Sequence, residues 1–391
     1  MEMIKGKPSS EPGIGNVYYS AFASWYNPIE RRELENMKKI RFWLLAAVLL
    51  ALPLGLFGCA LFSSTRAVIE VSGTEGIVPF TIEFDGSSSS GSGGISTYHW
   101  TFGTGDEWYG EAGSYTYKHA GSYTLTLTVR DASGRTRSDS VEIEVGPAVW
   151  LTDENLDRIY KLDMEGNELA SFPSPAPRPR GIAAALFNGD WVLYVVCQGD
   201  GFQRIFRVDP ETGAVAAEHS APAQDPLQLT YGAAEPERVW HVDGLSGKIY
   251  ELNPTSVQVL GSFGTNYFHA SQQVGNEPFL HTPQGLDWAE GPGPAGSLWY
   301  LEGDTQLLYE IEIIPAYDIL SGVQLEVTGD PIPLDPSVFP VSAIAWYDGF
   351  LWVADVYRHE IVQLDPATGV KTGEKITGFP GTKIAGLTIQ K

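Results

Sequence analysis

Apolar and polar residues alternate along most of the chain after residue 68, and short turns of Gly, Ser, Asn and Asp separate the runs. The clearest run is residues 123–129, Tyr-Thr-Leu-Thr-Leu-Thr-Val, which alternates strictly. Alternation with a period of two, together with β-branched residues and glycine-rich boundaries, predicts half-buried antiparallel strands. The pattern continues to the C-terminus, so we expect an all-β fold.

A short apolar run with an aromatic residue near its start recurs from residue 147 onward. The aromatic residues are 44, 46, 59 and 53 residues apart, and they are Trp150, Tyr194, Trp240, Trp299 and Trp352. Repeats of this length predict one supersecondary unit per copy. Each copy has up to four apolar runs, and turns such as Asp348-Gly349 supply the positive φ that tight hairpins need. Four-stranded antiparallel units repeated in this way predict a β-propeller over residues 147–391.

The first copy lacks a first strand, whereas residues 384–389 have that strand's pattern and no copy after them. We expect this last strand to pair with the strand of Trp150, because closing the ring would remove two exposed edges. This predicts five blades, and six stays open because residues 264–281 and 313–336 are long enough to contain weak strands. Residues 351–355, Leu-Trp-Val-Ala-Asp, resemble the repeats of NHL and YVTN-type propellers, a resemblance that implies a fold and says little about function.

Residues 68–146 predict a small β-sandwich ahead of the repeats. Residues 98–105, Tyr-His-Trp-Thr-Phe-Gly-Thr-Gly, and residues 117–131 resemble the two motifs of PKD domains. Thr101 and Thr104 stand where that family usually has aspartate. Trp100 and Phe102 lie two residues apart, so both should point into the core. The resemblance implies a non-catalytic spacer or interaction module.

The N-terminal residues predict export and lipid attachment. Residues 37–58 have a basic start, an apolar run and a small residue at the end, which is the layout of a signal peptide. Residues 56–59, Leu-Phe-Gly-Cys, resemble the lipobox of bacterial lipoproteins, although Phe57 replaces a usually small residue. That resemblance implies cleavage before Cys59, its diacylation, and a tether over residues 59–67. Residues 1–36 are then an over-extended N-terminus, and an uncleaved membrane anchor with a chance cysteine is the alternative.

Charge and cysteine content exclude several classes of function. The net charge is −23, and from Cys59 onward 43 acids face 18 bases. Such a surface repels phosphate backbones, so a nucleic-acid partner is not expected. The two cysteines, Cys59 and Cys197, are too few for a disulfide framework or a cysteine zinc site. Cys197 lies in an apolar run, which predicts a buried thiol instead of a nucleophile.

The sequence contains no recognisable catalytic constellation, metal-ligand spacing or cofactor motif. An acid ends the aromatic run in four copies, at Asp153, Asp243, Glu302 and Asp355. Since it recurs, we expect it to accept hydrogen bonds within the following turn. Candidate binding residues occupy the long insertion between the third and fourth repeats and the starts of two first strands. They are Arg180, Tyr267, Phe268, His269, Phe279, His281 and Gln284; the alternative is an insertion that is disordered or covers the core.

Three functions remain open at this point. The first is an exported lipoprotein, held to a membrane by its lipid and facing the periplasm or the cell surface. Its PKD domain would act as a spacer, and its propeller would bind a protein or carbohydrate partner. The second is a propeller enzyme, a lyase or hydrolase, which would need an acid–base pair in the central funnel. The third is a purely structural scaffold of the cell envelope. The lack of a catalytic set favours a binding protein over an enzyme.

Overall fold

The computed structural model describes residues 64–199, 201–222, 224–233, 237–264, 283–290, 296–314, 324–338, 340–381 and 383–391. The chain is all-β within these ranges, apart from one short 3-10 helix at Pro336–Val338. Nowhere in the described residues does a helix reach the length and apolarity that crossing a membrane requires.

The first part of the fold, residues 68–146, consists of two facing sheets. Its strands are β1 (Glu70–Val71), β2 (Glu75–Ile77), β3 (Phe80–Asp85), β4 (Ile95–Thr101), β5 (Glu107–Tyr109), β6 (Ala112–Tyr117), β7 (Gly121–Asp131) and β8 (Thr136–Gly146). One sheet has the order β1-β3-β6 and the other β2-β8-β7-β4-β5. Strand β2 runs parallel to β8, and the other neighbours are antiparallel.

The core of the first part follows the alternation in the sequence. Leu125, Leu127 and Val129 of β7 are fully buried, while the threonines between them lie on the outer face. Trp100 and Phe102 are buried as expected, and the ring of Phe84 lies 4.6 Å from that of Trp100. Period-two burial of this kind places every second side chain between the sheets.

The second part, residues 147–391, forms five four-stranded antiparallel sheets in the described ranges. The strands are β9 (Ala148–Asp153), β10 (Arg158–Leu162), β11 (Glu168–Pro173), β12 (Pro179–Phe187), β13 (Asp190–Gly199), β14 (Phe202–Val208), β15 (Val215–Ser220), β16 (Pro226–Gly232), β17 (Arg238–Asp243), β18 (Lys248–Leu252), β19 (Val259–Gly264), β20 (Pro283–Ala289), β21 (Ser297–Glu302), β22 (Leu307–Ile314), β23 (Gln324–Pro333), β24 (Val341–Tyr347), β25 (Phe350–Asp355), β26 (Glu360–Leu364), β27 (Lys371–Thr377) and β28 (Ile384–Gln390).

Each sheet pairs its strands in chain order except the first, whose order is β11-β10-β9-β28. The expected pairing of the C-terminal strand is confirmed, because Leu387 lies opposite Leu151 and Thr388 opposite Trp150. Strand β23 is the outer strand of the fourth sheet, so residues 324–333 do not begin an additional sheet. Most of residues 264–281 lies outside the described residues.

The first strands of the five sheets lie side by side. Strand β12 contacts β16 and β28, β20 contacts β16 and β24, and β24 contacts β28. Two glycines permit this approach: a Cβ at Gly181 would lie 2.4 Å from the Leu227 carbonyl oxygen, and one at Gly386 would lie 2.5 Å from that of Arg180. A larger residue at either position would push neighbouring first strands apart.

A single residue, Pro147, separates β8 from β9, and the two parts pack against each other beyond this link. The indole nitrogen of Trp191 donates to the Lys118 carbonyl at 2.6 Å, and Lys118 Nζ donates to the Gly189 carbonyl. One apolar cluster contains Val145 of the first part together with Trp150 of the second. The first part is therefore packed onto the second, which brings residues 119–121 next to the first strands.

Candidate functional site

The structure separates the two predicted binding residues that it describes. Arg180 lies in β12, where its guanidinium contacts Glu154 at 3.1 Å. Gln284 is half-buried in β20, and β16 lies between these two strands. The other five candidates, Tyr267, Phe268, His269, Phe279 and His281, fall outside the described residues, so their grouping stays a prediction.

The recurrent acids close turns, as expected. Asp153 Oδ1 accepts from the backbone nitrogens of Asn155 and Leu156 at 2.8 and 2.9 Å. The same pattern is seen at Asp355, which accepts from residues 357 and 358, and Asp243 accepts from Ser246. The carboxylate of Glu302 accepts from the hydroxyl of Thr305. Among the described residues, no three His, Cys, Asp or Glu side chains are grouped closely enough to hold a metal ion.

The thiol of Cys197 is buried, as its apolar surroundings predict. Burial raises its pKa to about 11, although a hydrogen bond with Ser174 opposes the shift. A thiol with so high a pKa carries almost no thiolate at neutral pH, and the thiolate is the nucleophilic form. Cys197 therefore has a packing role.

A cavity of about 860 Å³ opens where the first strands meet the first part of the fold. We call it the basin. One side is formed by the later residues of the first strands, and residues 119–121 of the first part line the other. Its volume lies in the range of small-molecule sites. The basin is thus a site to which both parts of the chain contribute.

One acid lies in the wall of the basin at a position where the repeats differ. In each first strand, one residue is paired with the recurring aromatic residue of the second strand. These residues are Ala183, Thr230, Asp287, Ala345 and Thr388. Asp287 is the acid among them, and its side chain is almost fully buried. A carboxylate in only one of five equivalent positions is not required by the fold.

Asp287 joins its two neighbouring first strands. Its Oδ1 accepts from the Thr230 hydroxyl on β16 at 2.5 Å, and its Oδ2 accepts from the Trp346 backbone nitrogen on β24 at 2.5 Å. Burial raises the pKa of Asp287 to about 6, while these two hydrogen bonds and the charge of Lys391 lower it. The group is therefore mostly ionised at neutral pH but titrates close to it.

Aromatic rings form much of the basin wall. The residue after the paired position in each first strand is Ala184, Tyr231, Trp288, Trp346 or Ile389, and all five line the basin. The ring of Trp346 stacks on that of Trp299 at 5.2 Å and an angle of 8°. The hydroxyl of Tyr231 donates to the Leu186 carbonyl at 3.3 Å. These contacts hold the rings in place, so the wall is formed before any ligand arrives.

The lining of the basin is mainly acidic in charge. Its carboxylates belong to Glu237, Asp287, Glu290 and Asp348, and its lysine is Lys391. The ammonium of Lys391 lies 5.8 Å from the centre of the Trp288 ring, within the range of a cation–π contact. His119 Nδ1 lies 3.2 Å from a backbone oxygen of Lys391, which ties the first part to this wall.

The sequence motifs do not indicate the basin, although two signals of it are present in the sequence. Aligning the copies on their aromatic residues places Asp287 opposite alanine and threonine, and places Tyr231, Trp288 and Trp346 at one equivalent position. Both are departures from the repeat. The contribution of residues 119–121 has no such signal, because it depends on how the two parts pack.

Comparison with known proteins identifies the first part. The family model of the PKD domain matches residues 68–145. The PKD1 domain of the Vibrio cholerae metalloprotease PrtV is 30% identical, with 21% of this chain and 96% of that chain covered and a TM-score of 0.19. The PKD1 domain of Vibrio anguillarum Epp is 28% identical. That match covers 21% of this chain and 93% of the Epp domain chain, with a TM-score of 0.19.

A longer likeness is to a chain of the nidogen–laminin complex, which is 15% identical. The match covers 63% of this chain and 99% of that chain, with a TM-score of 0.42. Its identity and TM-score are too low to bear on function. No curated protein matches this sequence.

Proposed function

We propose that this chain, in which residues 68–145 are a PKD domain, is an exported, lipid-anchored binding protein. Its second part is a five-bladed β-propeller, and its ligand enters the basin between the propeller and the PKD domain. The observation that carries the proposal is the basin itself, which combines preformed aromatic walls with one buried carboxylate. The protein faces the periplasm or the cell surface.

The propeller is supported by the arrangement of the sheets. Five four-stranded antiparallel sheets follow one another, their first strands are in contact, and the C-terminal strand completes the first sheet. Pairing the last strand with the first sheet leaves no first strand without a neighbour, which is how propellers protect their edges. The repeats of residues 351–355 and their copies are in keeping with NHL and YVTN-type propellers.

Lipid anchoring is supported by the sequence alone. The basic and apolar run of residues 37–58 precedes Cys59 in a lipobox-like context. A diacylated N-terminus would hold the protein at a membrane, and the first part of the fold would separate the basin from the lipid surface. A single chain of lipid binds weakly, whereas two acyl chains give a stable anchor.

Binding is favoured over catalysis because of how Asp287 is held. Both of its oxygens accept hydrogen bonds from the protein, which suits a group that positions the walls and supplies charge. A lyase or hydrolase is the second candidate, and the observation in its favour is the buried carboxyl group of Asp287 in the basin wall, whose pKa burial raises to about 6, a value useful to a general acid. Such an enzyme would also need a partner base within reach of the same substrate.

The test is a ligand screen of the full chain by thermal shift, using envelope glycans, peptides and small amines. Trp346→Ala and Tyr347→Ala should remove the shift of any ligand that stabilises the wild type. Trp108→Ala is the matched control, because Trp108 is exposed in the PKD domain and is not part of the basin. Ligands whose shifts are unchanged in both basin variants would show that binding occurs elsewhere. Turnover of a bound ligand, lost in Asp287→Asn, would favour the enzyme.

A further inference from the structure

We infer that the basin recognises an organic cation, an alkylammonium group carried by the ligand. This inference rests on the proposed binding function and narrows its ligand chemistry. It is drawn from the aromatic walls, from the distribution of charge in the basin, and from the position of one ammonium group of the protein itself.

The aromatic walls have the chemistry that attracts a cation. The faces of indole and phenol rings carry partial negative charge, and tryptophan binds cations best. Trp288, Trp346 and Tyr231 come from three consecutive first strands, and Trp191 and Tyr347 add two further rings. A ligand in the basin would therefore meet ring surfaces from several directions, and the stacked pair of Trp299 and Trp346 keeps one of them fixed.

The charges of the basin also favour a cationic ligand. Four carboxylates line it, at Glu237, Asp287, Glu290 and Asp348, against the single ammonium of Lys391. Asp287 is almost fully buried, so its field is screened less by solvent than that of a surface acid. The net charge of −23 adds a long-range attraction for cations and repels anionic ligands. A neutral sugar would lack the charge–charge attraction that a cation gains from this distribution of charge.

Lys391 indicates where such a group would sit. Its ammonium lies 5.8 Å from the Trp288 ring centre, and its charge lowers the pKa of Asp287. An alkylammonium group of the protein thus already occupies the environment proposed for the ligand. The cavity of about 860 Å³ is far larger than one ammonium group, so a ligand can bring a second cation beside Lys391 or displace its flexible side chain.

The test compares cations with neutral molecules of the same shape, by calorimetric titration of the full chain. Choline is paired with 3,3-dimethylbutan-1-ol, glucosamine with glucose, and Nα-acetyl-lysine amide with Nα-acetyl-norleucine amide. We expect at least one cation to bind about tenfold more tightly than its neutral partner. The pair that shows the difference identifies the source as a quaternary ammonium headgroup, an amino sugar or a lysine side chain.

Basin variants test the location of binding. Asp348→Asn and Glu237→Gln each remove one negative charge at a side chain that is not deeply buried. Both variants should weaken binding of the cation several-fold and leave the affinity for its neutral partner unchanged. Lys391→Met should strengthen cation binding, because it removes the competing ammonium. Glu165→Gln, an exposed acid that does not line the basin, is the matched control and should have no effect.

The outcomes separate this inference from the proposed function. If cations and neutral partners bind equally and the aromatic variants abolish both, the basin binds ligands but the cation inference is wrong. If only uncharged glycans from the screen bind in the basin, the inference is wrong for the same reason. If Trp346→Ala and Tyr347→Ala alter binding of no ligand, the proposed function fails as well. A cation preference that Asp348→Asn and Glu237→Gln reduce supports both.

Discussion

The carboxyl group of Asp287 and the imidazole of His241 are both buried. Lowering the pH changes their contributions to the stability of the fold in opposite directions. Burial raises the pKa of Asp287 to about 6, so its stabilising contribution is complete below its ordinary value of 3.8 and is lost as pH rises through about 6. Burial lowers the pKa of His241 to about 4 against the weaker effects of Gln228 and Asp243. The contribution of His241 to the free energy of unfolding is complete above pH 6.5 and is lost as the pH falls through about 4.

The first prediction concerns His241→Gln. Between pH 6.5 and 4 the unfolded chain takes up a proton at this position before the folded chain does, so His241 by itself lowers the free energy of unfolding of the wild type by about 3 kcal/mol as the pH falls. The variant should lack this loss, whatever its stability at pH 7. Urea unfolding at several pH values measures it. His359→Asn is the control, since His359 is exposed and Asn tolerates its positive φ. Equal pH slopes in wild type and His241→Gln would contradict the prediction.

The second prediction at this scale concerns Cys59, which lies outside the described residues. Cys59→Ser should abolish lipid attachment, because a serine hydroxyl cannot take the thioether-linked lipid that the lipobox-like context implies. The variant should appear as an uncleaved precursor or a released protein. Labelling cells with a fatty-acid probe measures it, and Cys197→Ser is the control with label retained. Equal label on Cys59→Ser and wild type would show that the anchor is not at this residue.

At the scale of a single element, β28 is short but contributes several buried side chains to the core. Ile384, Leu387 and Ile389 are buried between neighbouring strands. The indole nitrogen of Trp150 donates to Gln390 Oε1 at 2.8 Å in the interior. Residues 384–390 therefore belong to the core of the first sheet, although they come last in the chain.

The third prediction is that deleting residues 384–391 will severely destabilise the protein. Three buried apolar side chains contribute roughly 1.5–3 kcal/mol each, which approaches the whole stability of a typical domain, about 5–15 kcal/mol. The deletion also exposes β9 as an unpaired edge. Thermal melting should show aggregation or a much lower midpoint.

A milder pair of variants tests the same point without removing the strand. Leu387→Ala should cost about 2–5 kcal/mol because Leu387 is fully buried, whereas Leu260→Ala on the outer strand β19 should cost little, because Leu260 is 48% exposed. If the truncated chain melted at the wild-type temperature, or if the two leucine variants had equal effects on stability, β28 would not be part of the core.

At the scale of the whole molecule, the PKD domain forms part of the basin wall. Its residues 119–121 line the basin, and Trp191, Lys118 and His119 tie it to the second part. The single residue Pro147 between β8 and β9 restricts how far it can turn. The basin is complete only when both parts are held together.

The fourth prediction follows from this short link. Inserting a flexible Gly/Ser linker of about ten residues after Pro147 should weaken ligand binding on the order of tenfold, because the wall formed by residues 119–121 is no longer held in place. The same insertion between Glu211 and Thr212, in an exposed turn, is the control and should leave binding unchanged. Calorimetric titration with the ligand from the screen measures both. Full affinity after the insertion at Pro147 would show that the PKD domain does not contribute to the site.

The sequence by itself determined the strands, the position of the PKD domain and the pairing of the last strand. These features depend on local properties, namely period-two alternation, glycine at turns and the recurrence of one apolar run, so each can be recognised within a short window. The burial of Trp100, Phe102 and Cys197 followed for the same reason, since alternation and apolar neighbours indicate which side chains face a core. The turn role of Asp153 and its equivalents followed from their recurrence.

Only the tertiary structure decided where a ligand could bind. Asp287 accepts from Thr230 and from Trp346, which are 57 and 59 residues away in the chain, and one wall of the basin comes from residues 119–121. No window of the sequence contains these groups together, and the predicted residues Arg180 and Gln284 are separated by β16. Contacts between first strands depend on the register of every sheet and on how the two parts pack, because side chains distant in sequence meet only when those are set.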